Sequence, residues 1–434
     1  MLTRVLSFSP ATDESFFHEL PASAAVFLLR GEGEPYVSKT ANLRRRMLRL
    51  LGRPVEQSKR LNLRDRVREI EFTLTGSDFE SQLLLYRLLR EHFPKTYSAR
   101  LRLRPAPLVK LHLENEYPRA SVTTRLGKLP GLQQSQSFHV ERGSIESEAS
   151  DATQSRACPE RLTPGKESNG NLLFDKAQAS NLYYGPFPSR TAAEKFANDA
   201  LDFFKMRRCT DDLHPDPSFP GCVYSEMKMC LAPCFKGCSD DDYHAEVRRV
   251  QTFFDSRGES LSRELAEQRD HASQELAFEE AAAIHAKAEK LKPVLAQLPE
   301  IMHRIDRLQA IIIQPSAEEK SVALYRFSHA ILHGPVQFSI EQSGEPQSME
   351  SRVEKTFAEF PGEARSSAVE QTEHLAILKR WYYRSHRIGE IFFADEKGSW
   401  PLRRIVRAIG RVYRGEKETE PSSFSATPPA TTPS

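Results

Sequence analysis

Four cysteines in one short segment have the residue type and spacing for metal chemistry. Cys209, Cys222, Cys230 and Cys234 are separated by 12, 7 and 3 residues in a proline-containing stretch. Four thiolates can complete a tetrahedral set around zinc or hold an iron–sulfur cluster. The alternative is that they are free surface cysteines. The remaining cysteines are expected to lie outside any such site: Cys158 and Cys238.

A second group of residues is suited to binding phosphate. Tyr36 and Lys39 precede a segment with helical spacing of its apolar residues. Residues 1–110 contain 20 Lys and Arg against 12 Asp and Glu, an excess of 8 positive charges on a chain whose net charge is only +2. Such a basic region is typical of a polyanion-binding module, although a solvated helix face is the alternative. The basic side chains of the helix are Arg44, Arg45, Arg46 and Arg49.

A third pattern indicates a helical hairpin. Two long helices are expected at about 241–277 and 279–298, the first of them broken near Gly258. Small residues in the second helix allow another helix to approach closely, and an apolar stripe runs beside them. An ordinary intramolecular hairpin is the alternative to a partner-binding one. The residues concerned are Phe278, Ala281, Ala282, Ile284, Ala286 and Leu291.

The elements that must position these groups predict an α+β fold. Short buried strands and helices alternate in the first hundred residues, and further strands and helices follow the hairpin. The predicted regions are an N-terminal tail (1–21), a small α/β domain (22–126), a disordered insertion (127–180), the Cys-rich segment (181–240), the hairpin (241–298), a C-terminal α/β domain of unknown role (299–415) and a disordered tail (416–434).

Composition restricts the class of protein. Of the 434 residues, 39% are hydrophobic and 28% are charged, which is enough apolar material for cores under a highly charged surface. No apolar run approaches the ~20 residues needed to span a bilayer. The N-terminus lacks the long apolar core of a secretory signal. We therefore expect a cytoplasmic protein, in which clustered cysteines bind metal rather than form disulfides.

The first domain resembles a GIY-YIG nuclease of the UvrC type. Tyr36, Lys39 and Arg46 match the Tyr, Lys and Arg of the family's motifs. The resemblance implies a metal-dependent DNA endonuclease that uses Mg²⁺ or Mn²⁺. Apart from the resemblance, the basic helix face predicts DNA binding by Arg44, Arg45 and Arg49, with a solvated face as the alternative.

Several positions depart from that family pattern. The Tyr of the first motif is Phe27, and the Gly of the second is Ser38. The metal-binding Glu position falls on Leu85, and the Asn position falls on Tyr97 or Ser98. Leu85 cannot hold the cation that polarises a scissile phosphate. The remaining candidate for a relocated carboxylate is Glu80, which is five residues earlier and points about 140° away around a helix.

The later segments also resemble the UvrC family. An aromatic Gly-Pro run from Tyr183 to Phe187 precedes the cysteines, as it does in that family. The resemblance implies a [4Fe–4S] cluster on the four cysteines, with zinc as the second choice. The hairpin resembles the UVR motif, which implies pairing with UvrB or another UVR-motif protein, although His285 and Lys287 replace family positions.

Three functions are consistent with these patterns. One is a UvrC-like DNA-repair protein that binds DNA and a UvrB-type partner, with its own cleavage lost at Phe27 and Leu85. Another is an active short incision endonuclease with a relocated carboxylate. The third is an iron–sulfur redox sensor, which only the cysteines favour.

Overall fold

The computed structural model describes residues 2–53, 60–127, 129, 180–210, 212–341, 347–361, 366–395 and 397–416. Three antiparallel sheets and the helices around them confirm the predicted α+β class. The predicted disordered insertion and C-terminal tail lie almost entirely outside the described residues, as does Cys158. Within the described part of the chain, no helix is both long enough and apolar enough to cross a membrane.

The first sheet forms the N-terminal part of the fold. Its strand order is β1-β4-β2-β3, so β1 and β3 are its edges. The predicted N-terminal tail is instead structured: Arg4–Ser7 pairs with β4, and Phe17 is buried beneath it. The sequence missed this strand because an edge strand with little buried surface has weak alternation. The elements are β1 (Arg4–Ser7), α1 (Ser15–Glu19), β2 (Ala25–Gly31), β3 (Tyr36–Thr40), α2 (Leu43–Leu51), β4 (Val67–Leu74), α3 (Asp78–His92) and α4 (Tyr97–Leu101).

Helices α2 and α3 flank this sheet. The side chain of Asn42 accepts a hydrogen bond from the Arg45 N–H and begins α2. Leu43, Met47 and Leu50 of α2 pack into one core with Phe27. Helix α3 begins after Ser77, whose side chain accepts from the Glu80 N–H, and its apolar residues belong to a different core.

The middle of the chain is a second sheet covered by helices. Its order is β6-β5-β7-β8. The sequence assigns β5 and β6 to the first domain. In the structure, β5 instead lies between β6 and β7 and pairs with both. The predicted break in the first hairpin helix lies at Arg257 and Gly258, both in the left-handed region. The elements are β5 (Leu108–Leu111), β6 (Ala120–Thr123), β7 (Leu182–Gly185), α5 (Arg190–Leu201), α6 (Val223–Glu226), α7 (Asp240–Asp255), α8 (Glu259–Gln274), α9 (Phe278–Leu295) and β8 (His303–Arg304).

The C-terminal part is built on a third sheet of order β11-β10-β9-β12. One face packs against α10 and α12, and the other packs against α3 and α11. The ring of Phe79 on α3 lies 5.0 Å from that of Tyr325 and 5.2 Å from that of Trp381. Helix α3 therefore joins the N-terminal and C-terminal parts in one core. The elements are β9 (Ala310–Pro315), β10 (Ser321–Ser328), β11 (Ile331–Ser339), α10 (Met349–Ala358), α11 (Ala368–Tyr382), β12 (Glu390–Phe393) and α12 (Leu402–Arg414).

Candidate functional site

A basic groove runs along α2 and the end of the edge strand β3. Its volume is about 920 Å³. Five cationic side chains line it, and none of its described lining residues is acidic. We call it the basic groove, and its charged residues are Lys39, Arg45, Arg46, Arg49 and Arg60.

Arg46 and Tyr36 meet at the wall of the groove. The Nη2 of Arg46 donates to the Tyr36 hydroxyl at 2.8 Å. The Nε of Arg46 is buried and has no hydrogen-bond partner among the residues that the structure describes. A buried donor without a partner costs about 1–3 kcal/mol, so an incoming acceptor would relieve that cost. Phe27 stands with its ring 6.1 Å from that of Tyr36, where it offers no hydroxyl.

Lys39 is held by a carboxylate that the sequence did not single out. Asp78, the first residue of α3, accepts from the Lys39 ammonium at 2.6 Å and from Arg384 at 2.6 Å. Burial by itself would raise the pKa of Asp78, but these two cations hold it below its ordinary value. Burial also lowers the pKa of Lys39, an effect that Asp78 opposes. The only sequence sign of this role was the position of Asp78 at the start of a helix.

Of the three arginines predicted to bind DNA, Arg45 and Arg49 face the groove and Arg44 does not. Arg45 and Arg49 are exposed and line the basic groove. Arg44 does not line it, because its Nε donates to the carbonyl of Leu20 at 2.8 Å and supports the fold. The hydroxyl of Ser38, the second-motif departure, donates to the carbonyl of Lys39 at 3.4 Å.

The positions where the family has its Glu and Asn lie away from the groove. Leu85 is half-buried on α3 and packs against the core that α3 shares with the C-terminal part. Tyr97 packs against the same core, with its ring 6.3 Å from that of Tyr86. Ser98 lines a separate apolar cavity with Leu101 and Val369. None of these three residues contributes a polar group to the basic groove.

Glu80 belongs to another cavity. It is 7% exposed, and its Oε2 accepts from the Gly76 N–H at 2.7 Å. Burial raises the pKa of Glu80 to about 7, with a contribution from nearby Glu318. The cavity of about 390 Å³ that it lines shares no residue with the basic groove. Glu80 therefore points away from Arg46, as the helical spacing implied.

The four cysteines of the metal prediction lie near one another in the fold. All are half-buried free thiols. Burial raises the pKa of Cys230 to about 11, and the charges of Cys209, Cys234 and Cys222 add to this rise. Backbone and side-chain N–H groups already reach two of the sulfurs. Ala232 N donates to Cys230 Sγ at 3.3 Å and Arg207 donates to Cys209 Sγ at 3.4 Å.

This segment fits a metal group because it supplies thiol ligands of the right chemical type. Burial and the neighbouring thiols raise the pKa of Cys230 and Cys234, and a bound cation would stabilise both as thiolates. In the described ranges, however, no three His, Cys, Asp or Glu side chains are already arranged as a metal site. Cys238 lies close enough to Cys234 for an electrostatic interaction, and it packs against the core of the second sheet and its helices, which we call the middle core.

The hairpin of α8 and α9 exposes some of its predicted partner-binding residues and buries others. Phe278 is 64% exposed, and Ala282 and His285 also face solvent. Ala281 is half-buried. Ile284 packs partly against the middle core, and Leu291 is buried within it. Of the predicted stripe, Leu291 is therefore buried in the fold, whereas Ile284 keeps part of its surface exposed.

Comparison with known proteins gives one family. The model of the UvrC/Cho excinuclease middle domain matches residues 161–253, which include the Cys-rich segment. UvrABC system protein C of Methylococcus capsulatus is 26% identical over 297 residues, which is 67% of this chain and 40% of that protein. The same protein of Alkalilimnicola ehrlichii is 26% identical over 289 residues, 66% of this chain and 39% of the relative.

A third relative agrees. UvrABC system protein C of Rickettsia bellii is 26% identical over 297 residues, covering 68% of this chain and 38% of the relative. The chain thus spans about two fifths of the length of these curated relatives. No solved structure matches it significantly. The match to the middle-domain model covers the four cysteines, and the chain is a UvrC-like protein.

Proposed function

We propose that this chain is a nucleotide excision repair protein that holds the DNA backbone in the basic groove and does not cleave it. The observation that carries the proposal is a groove of about 920 Å³ lined by five cations and by no described carboxylate. Arginine and lysine side chains neutralise phosphates and release counterions, which supplies most of non-specific DNA affinity.

The chemistry of cleavage requires groups that the groove lacks. A metal-dependent nuclease holds its divalent cation with a carboxylate, and that cation stabilises the leaving oxygen. Leu85 offers no ligand and packs into a core. Phe27 has no group that can donate or accept a proton. Loss of general acid–base catalysis lowers the rate by about 10²–10⁴-fold. Mg²⁺ or Mn²⁺ would therefore be required only if another carboxylate served the site.

Salt-dependent DNA binding tests the role of the groove. Arg46→Ala with Arg49→Ala removes two cations, so the slope of log affinity against log salt should fall by about 2. Arg190→Ala with Arg269→Ala removes two cations elsewhere, since these side chains lie on α5 and α8. The control pair should bind as the unmodified protein does. Equal losses in both pairs would mean that the groove has no special role.

The contact between Lys39 and Asp78 supports the alternative of an active endonuclease with a relocated carboxylate. Asp78 bonds directly to a residue that lines the groove, whereas Glu80 lies in a separate cavity. If the protein cleaves DNA, Asp78→Asn should abolish cleavage and Glu80→Gln should not. Cleavage that survives Asp78→Asn would rule out this carboxylate.

The cysteine segment is proposed to hold a [4Fe–4S] cluster, with zinc as the second choice. Cys209, Cys222, Cys230 and Cys234 would hold the group, and the cluster when bound would tie the segment together. Visible absorption near 400 nm with analysis of iron, sulfide and zinc identifies the metal. Cys230→Ser should lose it, whereas Cys238→Ser should keep it. Loss in both variants, or metal in neither form, would contradict this assignment.

The hairpin is proposed to bind UvrB or another UVR-motif protein. Leu276 and Phe278 are 71% and 64% exposed two residues apart at its turn, where one partner surface would cover both. Phe278→Ala should weaken binding of purified UvrB, measured by titration. Val369→Ala removes an apolar side chain of similar exposure far along the chain and serves as the control. Unchanged binding by Phe278→Ala would exclude the turn.

A further inference from the structure

Helix α12 carries a dense stripe of arginines on its solvent side. Its 13 residues include five arginines, no lysine and no acidic residue. At 100° per residue, all five arginines fall within a sector of about 100°. Along the axis the stripe extends over about 16 Å. We call this the α12 stripe, and its members are Arg403, Arg404, Arg407, Arg411 and Arg414.

The opposite side of α12 fixes the helix to the fold. Ile405, Ala408, Ile409 and Val412 are buried, and they belong to the core between the third sheet and α10. Because this apolar face is already covered, α12 cannot insert it into a lipid surface as an interfacial helix does. The stripe is therefore a rigidly mounted cationic ridge.

Two members of the stripe are used within the fold. Arg411 pairs with the buried Glu390 at 2.8 Å, and Arg404 lies over the ring of Phe392. The other three extend further into solvent. The closest acid to Arg403 is Glu350 on α10, at 3.8 Å, and the side chain of Arg403 is 88% exposed.

Arg414 pairs only with the exposed Glu416 that follows the helix, and Arg407 forms no ion pair within the described residues. Solvated helix faces ordinarily mix lysine and glutamate with arginine. Arginine alone, without interspersed acids, is the choice for bidentate contact with phosphate. The three members that extend furthest into solvent are Arg403, Arg407 and Arg414, and the carboxylates that pair with Arg403 and Arg414 are themselves exposed.

We propose that the α12 stripe is a second phosphate-binding surface for duplex DNA, separate from the basic groove. The inference rests on the proposed DNA-binding function and extends it to the C-terminal part of the chain. A duplex carries one negative charge per ~1.7 Å of its axis, so a ridge of about 16 Å faces several phosphates at once. The contact reads backbone charge and carries no base specificity.

The test compares variants in DNA binding by the full chain. The triple variant Arg403→Ala/Arg407→Ala/Arg414→Ala leaves the buried apolar face and the Glu390 pair intact. Binding to a 30-base-pair duplex is measured between 50 and 200 mM salt. The salt slope should fall by about 2–3, and affinity at 100 mM salt should fall at least tenfold. Replacement of the same residues by lysine should restore the slope.

Controls separate this inference from the groove. The Arg46→Ala/Arg49→Ala variant loses groove cations but keeps the stripe, and thermal melting checks that each variant folds. A triple alanine variant that binds with unchanged affinity and slope overturns the inference and leaves the groove proposal standing. Loss by the triple variant without loss by the groove variant supports the stripe and contradicts the groove. Loss of binding to anionic vesicles, with DNA binding unchanged, also overturns the inference.

Discussion

Phe27 on β2 is completely buried, with Leu43 and Met47 of α2 in the same core. The tyrosine that the family places there would bring a hydroxyl toward Tyr36 and Arg46. This chain has instead used the position for packing. Leu85 shows the same change on the other helix, because it packs against the core where the family has a metal ligand.

Restoring the family residue should therefore reduce stability. Phe27→Tyr places a hydroxyl in a site with no exposed surface. If the hydroxyl finds no partner, the free energy of unfolding should fall by about 1–3 kcal/mol. Chemical denaturation of the two proteins measures the difference. Unchanged stability would mean that the new hydroxyl finds a hydrogen-bond partner, either by accepting from Arg46 or by bonding to the Tyr36 hydroxyl.

Glu80 gives a prediction about pH. Burial raises its pKa from 4.5 to about 7, so between these values the unfolded chain loses the proton while the folded chain retains it. Stability should fall as pH rises through this window by at most about 3 kcal/mol and level off above pH 7. Glu80→Gln should remove that fall and be more stable than the unmodified protein at pH 8. A Gln variant with the same pH profile of thermal melting would contradict the assignment.

For single residues, the sequence indicated which side chains are suited to binding phosphate better than it indicated their tertiary contacts. Of the residues that the motif singles out, Lys39 and Arg46 line the groove, and Tyr36 accepts a hydrogen bond from Arg46. Asp78 and Arg384 were missed, because they are 306 residues apart and only the tertiary fold brings them together. No local pattern reports such a contact.

Among the elements, the packing of α3 determines whether a metal ligand can be placed next to the basic groove. Its residues contact both the first sheet and the C-terminal part. The Tyr86 hydroxyl donates to Glu373 at 2.9 Å, and Arg87 donates to the Gly334 carbonyl at 2.7 Å. A helix buried on two sides has few positions left for a solvent-accessible metal ligand.

Gly76 tests how closely these parts are joined. A Cβ on Gly76 would lie 2.2 Å from the carbonyl oxygen of Pro315, a backbone atom that cannot rotate away. Gly76→Ala should therefore lower the free energy of unfolding by about 1–3 kcal/mol through overpacking. Gly410→Ala is the control, because its Cβ meets only the flexible end of Arg414, and alanine favours a helix. Equal stability in both variants would show that the junction yields.

Element prediction succeeded where patterns were strong. The hairpin helices expected at about 241–277 and 279–298 are present as α7, α8 and α9, and the predicted break near Gly258 separates α7 from α8. Strand β1 and the pairing of β5 with β7 were missed, because one is an exposed edge and the other joins residues more than 70 apart. Pairing over such distances is set by the sheet and not by local sequence.

Across the whole molecule, three surfaces project from joined cores. The basic groove lies on the N-terminal sheet, the exposed hairpin turn on the middle part, and the α12 stripe on the C-terminal part. Composition gave only a net charge of +2, so none of these surfaces could be read from bulk charge. Together the proposals describe a protein that would hold DNA at more than one point while it contacts a partner.

The most direct test of whether the basic groove binds DNA without cutting it is divalent-metal-dependent cleavage of a lesion-containing duplex by the purified protein, with and without UvrB. We expect no cleavage in Mg²⁺ or Mn²⁺ at protein concentrations that saturate DNA binding. We also expect salt-sensitive binding that Arg46→Ala weakens and Arg190→Ala does not. Metal-dependent cleavage that disappears in Arg46→Ala would contradict the central claim that the basic groove binds DNA without cutting it.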